Sequence, residues 1–443
     1  MAHPQTASSE NPPRSSQRGQ IFVWTLFDFA NTSFSVLIVA VGFSLYFKEI
    51  VAGGSGRGDF FWGLAVSLSM LLTAIIAPVL GAASDFAHRR KRFLLAFTLA
   101  SIIATALLYY VGPGMIILGT VLFVVANIGF EGGIVFYNSF LPILASQRSY
   151  GRVSGYGFAM GYVGSFASLL IALPLYAGGF TPENMGNVRL SFLLAAAMFF
   201  VFAAPLFIFL RDHKRVFPER ISYIQAGYTR VMDTITHLGS YRQVALFLLA
   251  FFLYNDGILT VISFASIFAK ESLQFTLKEI LVLFAVVQAA AIAGSLITGF
   301  VTDRIGPKKT VTATLMLWIL VVIAAYVVTS KSLFFVIGIV AGAAMGGSQS
   351  ASRTFMALLT PPEREAEFFG FYDGFCGKAS AVIGTFIFGA LSWFTGSQRV
   401  AIISVGLFFV IGAQLLQRVD DPFLKRRAGV PATPAQERTA FLK

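Results

Sequence analysis

Twelve apolar runs constrain this 443-residue sequence more than any other feature, because each is long enough to cross a bilayer. A hydrocarbon core about 30 Å thick takes roughly 20 helical residues. Inside it no water satisfies the backbone, so a chain of such runs must fold as packed helices. The runs cover 21–47, 60–84, 92–112, 115–142, 153–177, 189–210, 243–269, 277–302, 309–329, 333–358, 367–394 and 398–417. Only 12% of residues are charged, against about 25% in an average soluble chain. The longest break, 211–242, divides the runs six and six. The expected fold is therefore an all-α membrane protein of twelve transmembrane helices in two six-helix halves, 21–210 and 243–417. Segments 1–20 and 418–443 are polar or basic and are expected to be disordered; the basic tail suits anionic lipid as well as simple solvation.

Lysine and arginine orient the chain. With both termini on one side, 24 of the 33 fall in loops on that side and 7 on the other; Arg353 and Lys378 lie within spans. The positive-inside rule then puts both termini in the cytoplasm, and an odd number of spans would destroy the asymmetry. The net charge of +12 is thus a loop property, and nucleic acid is not an expected partner. The first run is too long for a signal-peptide core and reads as a retained span. In the linker, Ile221, Ile224, Tyr228, Val231, Ile235 and Leu238 recur at helical spacing behind Pro218, which predicts a helix lying on the inner membrane surface.

Two corners of the sequence are degenerate copies. Gly132–Gly161 and Gly346–Lys378 each read as a helix, a short polar turn and a returning glycine-rich helix. A second repeat closes spans two and eight: Gly81, Asp85 and a basic cluster with Arg89, then Gly299, Asp303 and a cluster with Arg304 and Lys308. The glycine lets helices approach, the aspartate can accept from a neighbouring helix N-terminus, and the basic residues anchor the loop. Both loops are expected to act as gates on the inner side.

On these loops the chain resembles the major facilitator superfamily, whose fold is two six-helix halves about a pseudo-twofold axis. The second loop matches well. The first departs from the pattern, with His88 near the place of the usual glycine. Three further stretches resemble the branch that includes the fungal vacuolar amino-acid effluxers linked to autophagy and many bacterial relatives. They are Trp24–Phe34, Phe136–Pro142 and Ser352–Lys378. The resemblance implies a transporter in a bacterial inner membrane.

Charges inside apolar helices are costly and commonly functional. Asp28, Glu131, Asp256, Arg353, Asp373 and Lys378 are such charges. The first four fall on spans one, four, seven and ten, which the resemblance implies line a central cavity. Asn31 follows Asp28 by one turn; Asn127, Glu131 and Asn138 share a helical face. Asp373 and Lys378, five apart, are not expected to share one. For Arg353, Asp373 and Lys378, substrate contact and an interhelical clasp stand level. These six charges, with Asn31 and Asn138, are the candidate substrate and coupling-ion residues.

No cofactor and no metal are expected. The four histidines lie outside the spans, and Gly374–Lys378 lacks P-loop spacing. Cys376, the only cysteine, reads as a small buried residue. Gly338, Gly342 and Gly346 read as helix packing. The expected function is a secondary transporter, not an enzyme, working by alternating access on a small solute. Acidic groups beside an arginine suit a zwitterion such as an amino acid. Protons are the expected coupling ion, with Glu131 near mid-span the expected carrier. A monomer in the lipid bilayer is expected. A lipid or drug exporter, a channel, and a membrane receptor or enzyme are the alternatives.

Overall fold

The computed structural model describes residues 14–54, 56–210, 222–380 and 383–427. Among these residues all regular structure is helical. Twelve helices are long and apolar enough to cross a membrane: Gln17–Val51, Gly58–Ala87, Arg90–Tyr110, Ile116–Leu144, Tyr150–Tyr176, Pro182–Phe209, Leu238–Leu273, Lys278–Ile305, Pro307–Val327, Lys331–Leu359, Glu365–Thr395 and Gln398–Leu424. They are numbered here as spans one to twelve. The face where span one begins and span twelve ends is called the terminal face. Large side chains such as Ile75, Ile103, Ile117, Leu170, Phe200, Leu320 and Phe386 project outward, fully in keeping with a surface that meets hydrocarbon.

Spans one and eleven depart from regular α-helix. Span one is α-helical to Phe34 and turns π-helical over Ser35–Ala40. It breaks at Val41, where φ is −126° and ψ −56°. Gly42 permits this break, because a Cβ there would stand 2.1 Å from both the Leu37 carbonyl and the Tyr176 hydroxyl. Span eleven begins as α-helix at Glu365 and is π-helical over Gly370–Cys376. It resumes as α-helix over Ile383–Thr395. Such π-turns are uncommon and gather at functional sites.

The halves meet along two glycine-lined crossings, spans two with eleven and five with eight. A Cβ on Gly81 would stand 2.2 Å from the Ala366 carbonyl, and one on Gly370 would stand 2.6 Å from Pro78 Cα. At the other crossing a Cβ on Gly151 would stand 2.5 Å from the Gly299 carbonyl, and one on Gly155 2.5 Å from the Ser295 carbonyl. Without side chains in the way, helix backbones from opposite halves touch directly. Gly342 and Gly346 do the same work inside the second half, against the carbonyls of Val287 and Ala291.

The linker helix runs Tyr223–Thr236, and the Ser222 side chain accepts from the Gln225 amide. Gly227, Val231 and Thr234 are its buried face. It packs on span two, where a Cβ on Gly227 would meet the Val79 carbonyl at 2.4 Å. Ile224, Tyr228, Ile235 and Leu238 stay exposed, so the apolar stripe read from the sequence is split between span two and the outside. Ile221 and Pro218 lie outside the described residues, as do segment 1–13 and most of the basic tail.

Candidate functional site

The two repeated loops form a matched pair of clasps on the terminal face. Asp85, at the end of span two, accepts from the backbone N–H groups of Ala366 (3.2 Å) and Glu367 (2.9 Å) in the first turn of span eleven. Asp303, at the end of span eight, accepts from those of Gly151 (2.8 Å) and Arg152 (3.3 Å) in the first turn of span five. A carboxylate suits a helix N-terminus because the first N–H groups lack intrahelical acceptors and carry partial positive charge. Each aspartate thus ties one half to the other.

The first clasp is layered. Arg90 Nε donates to Asp85 at 2.7 Å while its Nη2 pairs with Glu365. Glu367, fully buried, accepts from Arg230 at 3.0 Å and from Thr234, both on the linker helix. Arg364 donates to Thr234 at 2.9 Å. The linker is therefore bonded to the start of span eleven. Among the described residues the second clasp has only Arg152 as a cationic partner, its Nε 3.0 Å from Asp303.

Deeper between the halves lies a band of charge. Arg353 on span ten is 1% exposed. Its Nε donates to the Ser154 hydroxyl (2.9 Å), its Nη2 to the Ser154 carbonyl (2.6 Å) and its Nη1 to Asn138 Oδ1 (2.9 Å). Nη1 also lies 3.4 Å from Asp28 Oδ2. The guanidinium is packed against the rings of Phe158 and Trp24, with centroids 4.1 and 5.0 Å away. Asp28 accepts from the Tyr137 hydroxyl at 2.7 Å. Tyr137 is itself fixed by stacking on Trp24 and by the Trp24 indole, which donates to its carbonyl at 3.0 Å. Further along span four, Asn138 Nδ2 donates to Asp373 at 2.8 Å, Glu131 pairs with Lys378, and Asn127 donates to the Ser69 hydroxyl at 2.8 Å.

Asp373 and Lys378 both reach span four, contrary to the expectation that five residues would turn them apart. On an α-helix at 3.6 residues per turn they would diverge. The π-turn closes over five residues instead and brings both round to one neighbour.

The other candidates are dispersed. Asp256 is fully buried on span seven, and both its oxygens lie within 2.9 Å of the Gly384 amide, so it holds span eleven and stands apart from the band. Asn31 is buried beside Asp28 along span one. Arg89 leaves the clasp to Arg90 and lies 5.7 Å from the ring of Tyr223 on the linker helix. Arg304 is exposed. Lys308 donates to the carbonyls of Gln417 and Val419, closing the end of span twelve. Sequence reasoning missed Tyr137, Ser154, Glu365, Glu367 and Arg230. Tyr137 sits inside a stretch singled out for resemblance, and Ser154 inside a repeated corner; the two glutamates read only as a charged turn.

Known proteins agree with this architecture. A family model described as "Vacuole effluxer Atg22 like" matches residues 60–428. The uncharacterized MFS-type transporter YxiO of Bacillus subtilis is 28% identical, over 90% of this chain and 94% of its own length. Autophagy-related protein 22 of Yarrowia lipolytica is 24% identical, over 78% of this chain and 74% of its own. Among solved structures, the Escherichia coli fucose:proton symporter FucP superposes with a TM-score of 0.72 at 14% identity, covering 91% of this chain and 98% of that one.

Proposed function

The chain belongs to the family of Atg22-like vacuole effluxers, in the major facilitator superfamily, and from that membership we propose that it moves a small zwitterionic solute, such as an amino acid, by alternating access coupled to protons. It is a transporter of the superfamily type and not an enzyme. The observation that carries the reading is the stacking of two kinds of inter-half contact: aspartate clasps at the terminal face, and an acid–base band behind them. The clasps are non-covalent and span only the junction, so they can release as units when the halves rock apart. The band sets Asp28 and Glu131 of the first half against Arg353 and Lys378 of the second, opposite charges for the two ends of a zwitterion.

Binding of a substrate carboxylate at Arg353 requires it to replace Asn138 or Asp28, since all three guanidinium nitrogens are occupied. A planar fork does this through two parallel bonds; an ammonium cannot. Counterflow of labelled amino acids in proteoliposomes tests the function. Saturable exchange, sharply weakened in Arg353→Lys, supports it. Linear, non-saturating flux would mark a channel. Exchange unaltered in a stable Arg353→Lys protein would remove the zwitterion and favour the second reading, a lipid or drug exporter in which acids and bases merely neutralise one another. That second reading draws on the same saturation of Arg353.

A further inference from the structure

The central band carries three carboxylates, Asp28, Glu131 and Asp373, but two cations, Arg353 and Lys378. Each cation is committed across the junction, Arg353 to Asp28 and Lys378 to Glu131. Asp373 has no salt-bridge partner among the described residues; its one hydrogen bond comes from the neutral amide of Asn138. The orientation of that amide is forced. Arg353 can only donate, so Asn138 must turn Oδ1 to it and Nδ2 to Asp373. Asn138 thereby stands between Arg353 and Asp373 as a wedge. The charged groups around Asp373 are Lys378 on its own span, Arg353 on span ten and Glu131 on span four. Span two presents Ala77 and the Thr73 backbone to this turn, and span seven the ring of Phe251 against Tyr372, none of them ionic. A carboxylate withdrawn from water without a cation is costly, and the smallest remedy is a proton.

We propose that Asp373 is where this transporter takes up its coupling proton, and that Lys378 is the switch that expels it. The proposal rests on the proton-coupled reading above, and it moves the coupling site from Glu131 to span eleven. While the terminal face is closed, Lys378 is held by Glu131 and Asp373 carries the proton. When the halves part, Glu131 withdraws with the first half. Lys378 then turns to Asp373, one π-turn back along the same helix and on the same side. The Asp373 O–H bond breaks, its electron pair stays on the carboxylate to face the ammonium, and the proton leaves to water at the terminal face. One proton is carried per cycle, and the carboxylate without a cation alternates between the halves.

The test needs no substrate. Purified protein in lipid nanodiscs is titrated with acid and base, and the carboxylic-acid C=O band is followed by infrared difference spectroscopy. The same samples, with Cys376→Ser and nitroxides at Arg148 and Lys309, report the opening of the terminal face. The band should be present in the parent, absent in Asp373→Asn, restored in Asp373→Glu and retained in Glu131→Gln. Asparagine is isosteric and keeps an acceptor for Asn138, so a monodisperse Asp373→Asn protein is expected. A band that survives Asp373→Asn, or vanishes only in Glu131→Gln, overturns the proposal. Lys378→Gln should abolish pH-driven opening, and opening that persists in it overturns the switch. If the band follows Asp373 but the parent never opens with pH, the site stands and proton coupling of transport fails.

Discussion

Asp85 and Asp303 cap helices of the opposite half in the same way, but the Asp85 side chain is fully buried while that of Asp303 keeps 11% of its exposure. Their cationic partners differ more: the side chain of Arg90 is 10% exposed and that of Arg152 44%. The difference follows from what lies on top. Over spans two and eleven the linker helix is docked, bonded to Glu367 through Arg230 and Thr234. No comparable brace covers Asp303 among the described residues. An internal repeat has thus supplied two copies of one clasp, and the single unrepeated element, the linker, has made them unequal. The halves are expected to part first at spans five and eight and last at two and eleven.

Asp85→Asn should give the largest effect. It leaves the buried Arg90 beside a neutral amide and weakens two charge-assisted bonds to span eleven. Breaking a buried pair costs about 3–5 kcal/mol, and the lower end applies because Glu365 still holds Arg90. A loss near 3 kcal/mol is roughly a hundredfold shift toward the open terminal face. Distances between nitroxides at Arg148 and Lys309 should show a new long population. An unchanged distribution in a well-folded variant would mean that this clasp does not hold the face closed.

The parts of this arrangement that were legible in the sequence are those fixed by periodicity and by rare residues. Span number, the two aspartates and their helix-capping role followed from apolar run length and from a motif recurring 218 residues apart. Glu365 and Glu367 were not legible, because a charged turn between spans looks like any solvated loop until a second helix buries it. The shared direction of Asp373 and Lys378 was hidden for another reason. Nothing in Gly370–Cys376 announces a π-turn, and the α-helical period points the two side chains apart. Asp256 illustrates the opposite case: its burial was evident from its place in an apolar run, but not its partner, the Gly384 amide, 128 residues away.

Asp303→Asn sharpens the comparison with a smaller expected effect. The amide oxygen still accepts from Gly151, and the lost pair with a half-exposed Arg152 is worth about 0–1 kcal/mol. Weakening of the two backbone bonds brings the total to about 1–2 kcal/mol. The same labels should show a shift of about five- to thirtyfold, and the gap between the two variants measures what burial and the linker add. Equal opening in both would show that the linker brace is inert.

The smallest effect is expected three residues beyond each aspartate, where the copies also diverge. His88 has φ +48°, in the left-handed region, whereas Gly306 has φ +93° and ψ 154°, a conformation essentially restricted to glycine. Gly306 has a second reason to lack a side chain, since a Cβ there would stand 2.8 Å from the Phe423 ring. The departure of the first loop from the superfamily pattern is therefore a change of turn: histidine is tolerated in the left-handed region and not in the conformation of Gly306. Glycine at position 88 would relieve about 1 kcal/mol of backbone strain. It would also return about 0.4–1 kcal/mol of freedom to the unfolded chain. On the backbone terms alone, His88→Gly should leave the thermal unfolding midpoint of the purified protein nearly unchanged, and it should not alter the Arg148–Lys309 distances. A fall of several degrees would show that the histidine side chain, and not the backbone turn beneath it, secures the first loop against the linker helix.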